Sequence, residues 1–465
     1  MKPLSLLAFA FLAAASSAMA KPNVLVVVAD QWRAQAFGYS GDPNVKTPNF
    51  DKLAGECARF TNAVSGLPVC SPMRATMLTG QRPLTHGVFI NDVPLNPEAM
   101  TIGKVFGGAG YETGFIGKWH VDGHGRSIWI PRERRQGFDY WKVLECTHSY
   151  NASPYFADAP ERQVWKDYDA IAQTHDLCAY LHARKKSDKP FLFFLAWGPP
   201  HNPYGTAPVN HRALYKAEDI KLRPNVPPDM ADLAREDLAG YYAHCSALDD
   251  CMGEILQTLR DSGLADDTIV VFTADHGDML YSHGMQRKQK PYDESIRVPM
   301  LVRWPKGGIK SAALDVPINT EDIMPTLLGL CGVPVPKSVE GLSYAGYLRG
   351  GANPNPDNAT VILCPSPFGE WTRQRGGREY RGVRTARYTF VRDLNGPWLL
   401  YDNETDPYQM TNLVNKPEAA RLQADLDTLL AKKLKERGDE FQPGPDYIAK
   451  WNYHVDASGT ATYKN

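Results

Sequence analysis

A chain of 465 residues is long enough to bury one large core and to carry a smaller unit beside it. Hydrophobic residues make up 43% and charged residues 22%, which is the balance of a globular protein rather than a disordered or fibrous one. A formal net charge of −1 argues against a surface built to neutralise a phosphate backbone, so no nucleic-acid partner is expected.

Residues 1–20 read as a cleavable signal peptide. Lys2 supplies the positive start, Leu4 to Ala15 is a short apolar run, and Ala18-Met19-Ala20 ends in small residues. A mature chain starting at Lys21 and secreted or periplasmic is therefore expected. No later apolar run is long enough to span a bilayer, so no membrane partner is expected. The eight cysteines have neither zinc-site spacing nor the density of a disulfide framework.

Five apolar runs rich in Val, Ile and Phe follow in order: "PNVLVVVAD", "YETGFIGKWH", "PFLFFLAWGPPH", "DTIVVFTADHGD" and "VPMLVRWP". Continuous apolar strands imply burial on both faces, as in a parallel sheet covered by helices. Helical candidates lie between them, including "TPNFDKLAGE", "EDLAGYYAHCSALDDCMGEILQTLRDSG" and "TEDIMPTLLGLCG". The alternation predicts an α/β fold with a large sheet sandwiched by helices. "RGGANPNPDNAT" marks a boundary, dividing a main domain at 21–355 from a C-terminal α+β subdomain at 356–465.

Polar, titratable residues follow four of these strands: Asp30-Gln31, Lys118-Trp119-His120, His201 and Asp275-His276. Ligands of open α/β sheets bind beyond the carboxyl ends of the strands, so these residues predict one site assembled from distant sequence. A second signal is "CSPMRATMLTG", Cys70 to Gly80. Pro72 suits the first turn of a helix and Gly80 its end. Cys70 then sits where backbone N–H groups favour an anion, with Arg74 one turn on along the same face. The aromatic tract "GFDYWKVLECTHSYNASPYF" is a candidate wall for a sugar pocket, with ordinary packing as the alternative. His124 and His283 stand near the motifs as either site or loop residues, and Asp278 reads as a possible helix cap.

Cys-x-Pro-x-Arg followed by "LTG" resembles the signature of the type I, formylglycine-dependent sulfatases of the alkaline-phosphatase-like superfamily. The usual fourth residue of that signature is Ser, and here it is Met73. "ADQWR", "TADHGD", "GKWH", "GPPHNP" and "HGMQRKQKPYDESIRVP" resemble further elements of the family in its order. "GVRTARYTFVRD" and "LLYDNETDPYQMTNL" resemble its C-terminal subdomain. The resemblance implies an alkaline-phosphatase-like mixed sheet. It also implies a calcium ion held by Asp30, Gln31, Asp275 and His276, where the family often has a second Asp in place of Gln31.

Cys70 would be converted to formylglycine by a formylglycine-generating or equivalent maturation enzyme. Arg74, Lys118 and Lys288 would surround the charge of a sulfate ester, Lys288 being chosen by its place four residues before Tyr292. His201 would protonate the departing alcohol and His120 would take the proton that releases sulfate. Asp275 is in addition a candidate base. The expected reaction is hydrolysis of a sulfate monoester, with a sulfated saccharide as the favoured substrate. A phosphonate monoester or phosphodiester hydrolase of the same superfamily is the alternative, and a non-catalytic glycan-binding protein a more distant one.

Overall fold

The computed structural model describes residues 21–463, so the expected signal peptide lies outside the described residues. Its centre is an eight-stranded mixed sheet. In chain order the strands are β1 (Asn23–Asp30), β2 (Ala58–Phe60), β3 (Glu112–Lys118), β4 (Tyr140–Leu144), β5 (Phe191–Pro200), β6 (Thr268–Ala274), β7 (Met300–Arg303) and β8 (Ala312–Leu314). In space they run β8-β2-β7-β6-β1-β5-β3-β4, and β7 is antiparallel to both its neighbours while every other pair is parallel.

The apolar runs occupy the middle of this sheet. Val26 of β1 pairs with Phe194 of β5 on one side and Val271 of β6 on the other, and all three are buried. Each such side chain contributes roughly 1.5–3 kcal/mol on leaving water. The order places the carboxyl ends of β6, β1, β5 and β3 side by side, so the four polar strand ends meet at one edge.

Helices flank the sheet. α1 (Cys70–Thr79) begins at Cys70 and ends at Gly80, whose φ of 62° and N–H bond to the Thr76 carbonyl form a left-handed cap. α2 (Asp169–Ala183) and α3 (Ala231–Asp261) pack on each other and on β5. The buried face of α3 carries Leu238, Tyr241, Cys245, Leu248, Met252, Ile255 and Leu259, alternating steps of three and four. That is the stripe a helix needs to lie on a core.

The C-terminal part holds an antiparallel sheet of β9 (Ala359–Cys364), β10 (Tyr380–Thr385), β11 (Tyr388–Asp393) and β12 (Gly396–Asp402), paired in sequence order. α4 (Ala420–Arg437) lays Leu426 and Leu430 onto Val383, Phe390 and Leu400. Arg384 reaches back to the main domain with a two-pronged bond to Asp293, at 3.0 and 3.1 Å. Among the described residues no helix is long and apolar enough to cross a membrane, and all eight cysteines are unpaired.

Most of the aromatic tract turns inward, while Tyr155 lines a cavity with Trp165 and Tyr168. Phe138, Trp141, Tyr150 and Phe156 are buried, and Trp141 packs edge-on against Trp119 at 5.0 Å. These rings are core rather than pocket wall, since edge-to-face contacts among large rings favour burying them together.

Candidate active site

Cys70 is the hub of the site. Its sulfur lies 3.0 Å from Lys288 Nζ, 3.2 Å from His276 Nε2 and 3.9 Å from Asp30 Oδ1. Burial and the Asp30 carboxylate push the thiol up, but Lys118, Lys288 and His276 together outweigh them and hold it well below the ordinary thiol value. The surroundings therefore stabilise negative charge at this spot.

Arg74, one turn along α1, is fully buried between the two strand-end carboxylates. Its guanidinium donates to Asp275 Oδ2 at 3.0 and 3.2 Å, to Asp30 Oδ2 at 3.2 Å and to the Lys118 carbonyl at 2.7 Å. Lys118 Nζ donates to Asp30 Oδ2 at 2.5 Å. Burial alone would raise the Asp30 pKa, but Lys118, His201 and Arg74 hold it well below the usual carboxylate range. Gly117, with φ of 102°, bends the end of β3 here, and a Cβ on it would stand 2.1 Å from the Ala196 carbonyl oxygen. Only glycine meets both demands.

Asp30, Cys70, Asp275 and His276 bring their donor atoms within 4.8 Å of one another. His276 Nδ1 bonds the Gly277 carbonyl at 2.9 Å, which leaves Nε2 as the lone-pair face toward the cluster. The Asp275 carboxyl is raised by burial and by the nearby Asp30. Gln31 Oε1 is buried without a hydrogen-bond partner. Two buried carboxylates, an imidazole nitrogen and an orphaned carbonyl oxygen fit a divalent cation that prefers oxygen.

His201 follows β5 and is buried. Its Nδ1 bonds the Asn202 carbonyl at 2.9 Å, so Nε2 is the acceptor that meets Lys288 Nζ at 3.2 Å. Burial and the Lys288 ammonium push its pKa well below the ordinary value. The exposed ring of His148 stacks on it at 4.5 Å. His120 bonds Asp92 through Nε2 at 3.2 Å, while its buried Nδ1 has no hydrogen-bond partner. Burial opposes protonation of this ring, but Cys146 and Asp92 outweigh it and raise its pKa well above the usual value.

A family model described as "Sulfatase" matches residues 22–333, and one for the C-terminal part of N-sulphoglucosamine sulphohydrolase matches residues 282–436. Over 444 residues the chain is 45% identical to an ulvan-active sulfatase of Formosa agariphila, covering 93% of this chain and 85% of that one. It belongs to the sulfatase family. An endo-4-O-sulfatase of Bacteroides thetaiotaomicron is 31% identical, covering 88% of this chain and 92% of that one. The crystal structure of the putative sulfatase yidJ from Bacteroides fragilis matches with a TM-score of 0.82 at 30% identity, covering 92% of this chain and 98% of that one. The activity is that of a sulfuric ester hydrolase, as the family resemblance implies.

All ten residues singled out from the sequence of this sulfatase lie in or beside one buried cluster, with His120 reaching it through Lys118, two residues before it on the same strand end. Five neighbours were not legible beforehand. Asp92 holds His120, and Arg126 (2.7 Å) and Tyr463 (2.7 Å) hold Asp92 in turn; its only sequence signal is one charge in the apolar stretch "VFINDV". His148 and Cys146 come from the tract whose rings went into the core. His283 instead stacks on Tyr292 and bonds Asn225, and His124 stands half exposed beside Asp122.

Lys290 is the second lysine of the Lys288 loop and faces away from Cys70. Its Nζ donates to the Gln286 carbonyl at 2.6 Å and lies over the Trp371 ring. A lysine in a loop is usually solvated, but the structure buries this one, and burial pushes its pKa down to about 8 from 10.5. Below pH 8 the amine is charged whether folded or not, and folding bears the burial cost. Between about 8 and 10.5 the unfolded chain keeps a proton that the folded one has lost, so stability rises with pH. Melting wild type and Lys290→Met side by side across this range should show the wild type gaining on the variant as pH increases. A constant gap would contradict the buried ammonium.

Proposed function

We propose that this sulfatase releases inorganic sulfate from sulfated carbohydrate, with its nucleophile formed at Cys70 by oxidation to formylglycine and a calcium ion held by Asp30, Gln31, Asp275 and His276. The observation that carries the reading is the setting of the Cys70 sulfur, an anion-stabilising point beside Lys288 and within the field of Lys118. The relatives named ulvan-active sulfatase and endo-4-O-sulfatase support a saccharide as the substrate. The N-terminal segment supports export before the protein meets such a substrate.

The hydrate of formylglycine supplies an oxygen nucleophile that a thiol does not, and the ion supplies positive charge beside it. Arg74 and Lys118, already aligned by the buried Asp30 and Asp275, hold the negative charge on the sulfate oxygens together with Lys288, which stands at Cys70 and His201. His201 is neutral at rest because burial disfavours its charged form and the Lys288 ammonium repels a proton there. A bound sulfate ester offsets that repulsion, so the ring gains a proton beside the leaving alcohol. Cys146 and Asp92 favour the imidazolium of His120, so the ring first has to give up a proton. Neutral, it has Nδ1 free of protein partners to accept the proton whose removal releases sulfate, and Asp92 stabilises the imidazolium that results.

The test is a kinetic panel of sulfated saccharides set against phosphonate monoesters and phosphodiesters of matched leaving group. Sulfate esters should be preferred in kcat/KM. Preference for the phosphorus esters, or tight glycan binding without turnover, would replace this reading with one of its alternatives.

A further inference from the structure

Asp278 does not cap a helix. It is fully buried and both its oxygens are taken. Oδ1 accepts from the backbone N–H groups of Leu280 at 3.0 Å and Arg287 at 2.7 Å. Oδ2 accepts from Gln31 Nε2 at 2.7 Å and from the Tyr204 hydroxyl. Arg287 Nη1 stands 3.8 Å from Oδ2 and donates to the Tyr204 oxygen at 2.5 Å.

A carboxylate only accepts hydrogen bonds, so the end of Gln31 that faces Asp278 has to be its NH₂. The carbonyl end is thereby turned away, into a buried position where it has no hydrogen-bond partner. An orphaned carbonyl is costly to keep and is rare in folded proteins. The backbone of Gln31 is clamped as well. It sits at φ 68°, its N–H donates to Asp275 Oδ1 at 3.0 Å, and its carbonyl accepts from the Tyr241 hydroxyl at 2.9 Å. Left-handed backbone at a bulky residue persists where surrounding contacts over-determine it.

We infer that Asp278 is a positioning residue that fixes the orientation of the Gln31 amide, so that Oε1 becomes a ligand of the cation. This rests on the proposed metal site. It explains how a neutral amide serves beside Asp30 where a second carboxylate would also offer oxygen. A carboxylate at position 31 would face Asp278 anion to anion, whereas the amide is matched to it. Positions 31 and 278 therefore work as a pair.

The test is calorimetric titration of calcium into the metal-stripped full chain, with circular dichroism as the control for folding. In Asp278→Asn the side-chain oxygen stays with the two backbone N–H groups, so its NH₂ faces Gln31. The Gln31 carbonyl then turns toward it and presents NH₂ to the ion. Calcium affinity should fall about 10–100-fold, the usual cost of losing an outer-shell partner. Adding Gln31→Glu to Asp278→Asn should restore most of the loss, because Glu accepts from the new NH₂ and still offers an oxygen. If Asp278→Asn does not fold, Gln31→Leu, which lacks the carbonyl, should lose affinity to a similar degree. Wild-type affinity in Asp278→Asn, or no recovery in the double variant, would overturn the inference alone, whereas wild-type affinity in Gln31→Leu would overturn it together with the place of Gln31 among the ligands. A wild-type chain that binds no calcium would overturn it together with the metal site.

Discussion

Stripping divalent cations from the protein should lower turnover by at least about a thousandfold, since a catalytic ion supplies several kcal/mol of charge stabilisation and each ~1.4 kcal/mol is tenfold. Readdition of calcium should restore the rate. Asp275→Ala should match the stripped enzyme but for a mixed reason. Asp275 also holds Arg74 through contacts of 3.0 and 3.2 Å and accepts the N–H groups of Gln31 and His276 at 3.0 and 2.9 Å. Breaking a buried ion pair by removing one partner costs roughly 3–5 kcal/mol of stability, so this variant should also melt earlier. Chelation leaves those pairs in place and is the cleaner arm. A stripped enzyme that keeps its rate would remove Asp30, Gln31, Asp275 and His276 from the role of ligands to an essential ion.

Lys288→Ala is expected to lower kcat/KM by at least about tenfold, and by on the order of a hundredfold or more if its charge acts in the transition state. Its ammonium is placed to donate at the nucleophile position, 3.0 Å from the Cys70 sulfur, and at His201 Nε2, 3.2 Å away. Removing it also lifts part of what depresses His201, so the limb of the pH–rate profile that belongs to His201 should move to higher pH. Lys290→Ala should act on stability and leave that limb where it is, because its ammonium faces Gln286 and Trp371. The reverse ranking of the two lysines in kcat/KM would mean that the loop meets its substrate in another register than the resting structure shows.

The sheet was legible because β1, β5 and β6 are buried on both faces and spell that out as unbroken Val, Leu and Phe. The same reading reached the site, since polar residues immediately after such strands have one edge of the sheet to share. α1 was legible from its ends, Pro72 and Gly80. What the sequence hides are relations between distant side chains. Nothing in "VFINDV" announces that Asp92 will meet His120, and nothing in "TADHGD" that its last Asp will grip the Gln31 amide rather than cap a helix. The aromatic tract was legible only in part because composition does not say which way a ring points: Trp141 packs on Trp119, whereas Tyr155 lines a cavity with Trp165. The burial of Lys290 is also hidden, since a loop lysine is usually solvated, whereas here Trp371 and the Gln286 carbonyl cover it. The left-handed backbone at Gln31 and His120 likewise leaves no mark in residue type, since both are set by the tertiary contacts around the site.

The nucleophile at Cys70 is the centre of the account, and mass spectrometry of the peptide spanning it tests that point most directly. Preparations made with and without a co-expressed maturation enzyme should differ in the fraction of Cys70 present as an aldehyde or its hydrate. Sulfate release should scale with that fraction, and Cys70→Ala should release none above background. Full activity from protein whose Cys70 is entirely an unmodified thiol would contradict the account.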